Sequence, residues 1–81
     1  MSRVIKQYVA VDAHFTADGR ILPRIVYWDD DRRFEIDRIL DIRPAPSLKA
    51  GGAGIRYTVR IYETETYIFL EENRWFVEAK Y

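Results

Sequence analysis

The sequence has no cysteine. Disulfides, thiolate metal sites and cysteine nucleophiles are therefore excluded, and the composition fits a reducing compartment. Histidine is nearly absent too, with a single residue, His14. Asp12 lies two residues before it, on the same face of an extended segment. One imidazole and one carboxylate are too few to close a metal site, and no nucleophile stands beside them. An exposed strand histidine is expected instead. Charge of either sign is not in excess, because 13 Lys plus Arg balance 13 Asp plus Glu. Dedicated nucleic-acid binders usually carry surplus positive charge, since phosphate neutralisation supplies much of their affinity. Apolar runs near the ~20 residues of a membrane helix are missing. The opening MSRVIKQYVAV lacks the apolar core and cleavage site of a signal peptide. These absences lead to the expectation of a soluble, cytoplasmic chain without membrane association, metal or cofactor.

What the chain does contain is core material. Of its 81 residues, 48% are hydrophobic and 15% aromatic, enough for one small domain over residues 1–81 to fold without disulfides. Period-2 alternation dominates. Ile5, Val9, Val11, Ala13 and Phe15 share one face of a first strand, with Lys6, Asp12 and His14 opposite. The segment 17–20, Ala-Asp-Gly-Arg, is a turn signal. Residues 21–28 read as a second strand, with Pro23 demanding an edge or a bulge because it has no amide proton. After the Asp29-Asp30-Asp31 turn, Phe34, Ile36, Leu40 and Ile42 alternate through a third. Ile36, Ile39, Leu40 and Arg43 also suit helical spacing, although a helix would stack Asp37 against Asp41 at i,i+4. Ile55, Tyr57, Val59 and Ile61 mark the inner face of a fourth strand, followed by 66–71 and by Trp75, Val77, Ala79 and Tyr81 in the last. The fold class is all-β, a small antiparallel barrel or sandwich of about six short strands. The alternative is α+β with residues 32–43 helical.

Arg38 falls in the inward register between Ile36 and Leu40, where a lone charge is costly. Either a bulge turns it outward and brings Ile39 inward, or it reaches a carboxylate; the bulge or a place at the barrel end is the favoured reading.

The stretch SLKAGGAGIRYTV places Lys49 before Gly51, Gly52 and Gly54, with Arg56 after them. A phosphate loop needs its lysine after the glycines and a helix behind it, and here a strand follows. Only backbone amides, Lys49 and Arg56 would hold an anion, so a supple connection competes with a small anionic-ligand site at Lys49, Gly51, Gly52, Gly54 and Arg56. A second candidate is a mixed cationic and aromatic surface. Arg60 and Tyr62 follow Arg56 on one strand face, while Arg74 and Phe76 share a face of the last strand. Such faces serve protein interfaces, including homodimers, and small barrels also use them for single-stranded nucleic acid.

The strings IDRILDIRP and KAGGAGIRY, within a likeness running from Asp18 to Glu78, resemble a group of small uncharacterised bacterial proteins. The resemblance implies a stand-alone, mostly β domain with no assigned activity and no catalytic residue to carry over. The resulting expectation is a non-enzymatic binding module that self-associates or binds a protein partner, with nucleic-acid binding as the alternative.

Overall fold

The computed structural model describes residues 4–28, 32–44 and 54–80. Their regular structure is entirely β: β1 (Val4–Phe15), β2 (Ile21–Tyr27), β3 (Arg33–Glu35), β4 (Arg38–Pro44), β5 (Ile55–Ile61), β6 (Thr64–Glu71) and β7 (Arg74–Lys80). The all-β antiparallel class is thus correct. The helical alternative for residues 32–43 is not, because β3 and most of β4 occupy that segment. Among the described residues no helix is long and apolar enough to cross a membrane. The Asp29-Asp30-Asp31 turn and most of the glycine-rich stretch, with Lys49, Gly51 and Gly52, lie outside the described residues.

The strands form one sheet in the order β3-β2-β1-β7-β6-β5-β4, all neighbours antiparallel. Its outermost strands, β3 and β4, are joined by only Ile36 and Asp37. Three Cα steps from Glu35 to Arg38 span at most about 11 Å. The edges of a flat seven-stranded sheet would stand about 29 Å apart. The sheet therefore curls into a partly closed barrel. At the seam the Ile36 amide donates to the Arg24 carbonyl and the Asp37 amide to the Arg60 carbonyl, each at 2.8 Å. What the sequence suggests is one third strand is thus two, each bonded to a different side of the barrel.

β1 supplies the opposite corner. Its first half, Val4–Val9, pairs with β7, and its second half, Ala10–Phe15, pairs with β2. The expected bulge in β4 is present between Ile39 and Asp41. Arg38 is exposed and Ile39 packs on the core, while Leu40, expected inside, is turned out. A second irregularity sits beside Pro23, where Arg24 is the extra residue opposite Asp12 and Ala13. Phe15, also expected inside, is 70% exposed because β1 runs on past the start of β7.

Val26, Tyr57, Val59, Ile68 and Leu70 form the buried centre, with Val9, Val11, Ile36, Ile39, Trp75 and Val77 packed around it. The Tyr57 hydroxyl crosses the interior and donates to the Ile21 carbonyl at 2.5 Å. Between β5 and β6 the turn is Tyr62–Glu63, with Tyr62 at φ 57. Tyrosine is not a turn residue in sequence terms, since positive φ favours Gly, Asn and Asp. The Thr16–Arg20 turn follows its sequence signal, with Gly19 at φ 92 and the Arg20 amide donating to the Thr16 hydroxyl at 2.8 Å.

β6 and β7 pair only over Phe69–Glu71 and Arg74–Phe76 among the described residues, then diverge. The wedge between them leads to an apolar cavity of about 430 Å³ lined by Trp28, Phe34, Tyr62, Ile68, Val77 and Ala79, among others.

Two measurements test this account of the fold. Asp37→Pro deletes the seam amide and should cost about 1–3 kcal/mol in urea unfolding. Asp37→Ala keeps the amide and should stay within about 0.5 kcal/mol of the parent. Burial raises the Tyr57 phenol above its ordinary value, and the hydrogen bond to Asp12 does the same for Tyr27. The folded state therefore favours the neutral phenol. Stability from these groups is complete well below the ordinary tyrosine value of about 10, falls as the unfolded phenols ionise around it, and is lost as pH rises through the raised values. Tyr57→Phe should cost about 1–2 kcal/mol at neutral pH and flatten the alkaline decline.

Candidate functional site

The outward faces of β1, β7, β6, β5 and β4 bring chemistry-bearing side chains into one transverse row. Register places Tyr8 opposite Phe76, Phe76 opposite Phe69, Phe69 opposite Arg56, and Arg56 opposite Arg43. Side chains of directly opposed residues stand within contact range, so a row of this kind is a continuous surface.

Its centre is apolar although it faces away from the barrel interior. Phe69 and Phe76 stack with centroids 5.1 Å apart and rings 5° from parallel. Tyr8 meets Phe76 edge-on at 5.8 Å. Lys6 lies across the cluster, its Nζ 4.6 Å from the Phe76 ring centroid and donating to Glu71 Oε1 at 3.0 Å. That hydrogen bond holds the lysine above its ordinary pKa. Phe76 is consequently only 1% exposed. The expected surface role for Phe76 is corrected on this point: it supports the face from beneath.

The exposed part consists of two tyrosines with an arginine over each. The Arg74 guanidinium lies 3.4 Å from the centroid of Tyr8, and that of Arg56 lies 4.6 Å from Tyr67. Tyr8 is 44% and Tyr67 50% exposed, so each ring retains accessible surface. Neither arginine has a carboxylate at ion-pair distance among the described residues, whereas Lys6, Arg43 and Arg60 are paired with Glu71, Asp41 and Glu65. Arg56 Nε and Glu71 Oε2 are buried without hydrogen-bond partners among the described residues.

The residues singled out from sequence are only partly united. Arg56 and Arg74 belong to this face. Arg60 lies on the same side of β5 but at its far end, bonded to Glu65 at 3.4 Å. Tyr62 is in the turn beyond it, 72% exposed and edge-on to Phe34 at 6.4 Å. Gly54 immediately precedes β5, while Lys49, Gly51 and Gly52 lie outside the described residues, so an anion site there has no geometry to report. No group of three or more potential metal ligands occurs among the described residues. Lys6, Tyr8, Tyr67 and Phe69 escape sequence reasoning. Alternation puts Lys6 and Tyr8 on one outer face and Tyr67 and Phe69 on another. Only the strand order β1-β7-β6 joins the two.

The Lys6 strap is testable. Lys6→Met should lower the urea midpoint by stranding a half-buried Glu71 carboxylate, and adding Glu71→Gln should recover part of the loss. Equal midpoints for the parent and the single variant would remove the strap from the account.

Compared with known proteins, the chain matches no family model, no curated protein and no solved structure.

Proposed function

We propose that the chain is a non-enzymatic interaction module of the cytoplasm that presents the outer face of β1, β7, β6 and β5 to a protein partner. The observation that carries this reading is the pair of half-exposed tyrosines, each stacked with an arginine, around the buried Phe69–Phe76 stack. Tyrosine and arginine are the residue types that dominate binding energy at protein interfaces. Stacking on the ring restricts each guanidinium before a partner arrives, which lowers the ordering cost of binding. With no carboxylate of the described residues pairing them, Arg56 and Arg74 are matched to a partner that offers carboxylates among apolar side chains.

Single-stranded nucleic acid fits this face less well. Base stacking uses open aromatic faces between cations. Here one face of each tyrosine is covered by its own arginine, and Glu65, Glu71 and Asp41 interrupt the cationic field.

Selection from a displayed random-peptide library tests the proposal. Peptides recovered on the parent chain should be enriched in Asp, Glu and aromatics, and Tyr67→Ala with Arg56→Ala should weaken them at least tenfold. Peptides that bind both forms equally overturn it. So does single-stranded DNA or RNA binding that weakens steeply between two salt concentrations, the signature of phosphate contacts.

A further inference from the structure

A separate feature lies at the corner strand. The second half of β1, residues 10–15, is bonded to β2 on one side. β7 covers only Val4–Val9 on the other side, so among the described residues no strand lies beyond Ala10–Phe15 there. An edge of this kind leaves alternate amides and carbonyls open to another chain. Next to it is a broad hollow of about 860 Å³, walled by Val11, Ala13, Phe15, Asn73, Arg74 and Trp75, among others. Phe15, 70% exposed, stands at its rim.

The geometry points to a second copy of this chain as the occupant, paired antiparallel through Val11–Phe15 about a two-fold axis at Ala13. The edge reads Val-Asp-Ala-His-Phe, and its chemistry is self-complementary under that rotation. Ala13 meets Ala13, Asp12 meets His14 of the second copy, and Val11 meets its Phe15. Both Asp12–His14 pairs form at once, because a two-fold contact repeats every pairing. Competing registers fail on physical grounds. A one-residue slip sets side chains of opposite faces against each other. A slip centred on Asp12 sets carboxylate against carboxylate, which is repulsive. A slip centred on Val11 drives the incoming strand into the start of β7, where Trp75 already pairs with Val9. In the register centred on Ala13 each Phe15 enters the hollow beside Asn73 and Trp75, which accounts for a large apolar side chain at an open rim. Asp12 is already oriented by the Tyr27 hydroxyl, which donates to it at 2.5 Å. This inference rests on the reading of the chain as an interaction module and names the partner at one edge. Tyr67 and Arg56 take no part in it, so their variants separate its failure from that of the tyrosine–arginine face.

Cross-linking and sedimentation test the register. The chain has no native cysteine, so Ala13→Cys introduces one thiol per copy. Directly opposed Cβ atoms stand about 4.5–5.5 Å apart, near disulfide range. Mild oxidation of Ala13→Cys should therefore give a covalent dimer. Ala10→Cys should not, because its two copies stand roughly 20 Å apart in this register. In sedimentation, His14→Asp should weaken self-association on the order of tenfold by opposing carboxylates. Asp12→His combined with His14→Asp should restore it, with far-UV circular dichroism unchanged throughout. Tyr67→Ala should leave it intact. A wild-type chain that is monomeric at every concentration examined overturns the inference. So does a dimer that survives His14→Asp, or one in which Ala10→Cys cross-links as fast as Ala13→Cys.

Discussion

Two residues, Ile36 and Asp37, connect the opposite edges of a seven-stranded sheet, and the shape of the molecule follows from that short tether. A flat sheet would tear the connection, so the strands must coil until β3 and β4 meet. Each tether residue then donates its amide to a different side of the seam, to Arg24 and to Arg60. Coiling also encloses the apolar faces of β2, β5 and β6 around Val59 and Tyr57. A small chain needs such enclosure, because an open sheet of this length would leave half of its apolar surface in water.

Closure is incomplete, and each opening has a local cause. β7 begins too late to cover the second half of β1, which among the described residues leaves the edge at Ala10–Phe15 and the hollow beside it. β6 and β7 part after three paired residues, which opens the apolar wedge at Trp28 and Phe34. The curvature that brings β3 and β4 together is thus relieved elsewhere. Tyr57 bridges the interior by bonding the Ile21 carbonyl, a link that a purely aliphatic core would not supply.

The outer face shows how a small domain can hold apolar side chains on both sides of one sheet. Phe69 and Phe76 lie opposite to the core face and stay dry because Tyr8 packs against Phe76 and Lys6 lies across it. The Lys6 ammonium is satisfied at once by Glu71 and by the ring beneath it, an arrangement in which attraction to the aromatic quadrupole adds to the ion pair. Arg56 and Arg74 sit over tyrosine rings, so their charge is held at the surface rather than extended into solvent. The proposed partner face and the proposed self-pairing edge adjoin at Tyr8 and Arg74, which also line the hollow beside the edge.

Much of the fold was legible in residue order. Alternation of apolar residues assigned the strands, Asp18-Gly19 located a turn, Pro23 located an irregularity, and the misplaced charge of Arg38 foretold a bulge. These signals are local: they depend on backbone stereochemistry and on which face of a strand is wetted. Long-range facts were not legible. The division of the third strand at Ile36–Asp37, the exposure of Phe15 and Leu40, and the burial of Phe76 depend on which strands become neighbours. So does the row Tyr8, Phe76, Phe69, Arg56 and Arg43, whose members are scattered from one end of the chain to the other. The sequence by itself determined the class of fold, most of the strands and the inner faces of β5 and β7. Tertiary structure alone decided the strand order and register, because pairing between distant segments is chosen by the closure of the whole sheet rather than by any segment's own composition.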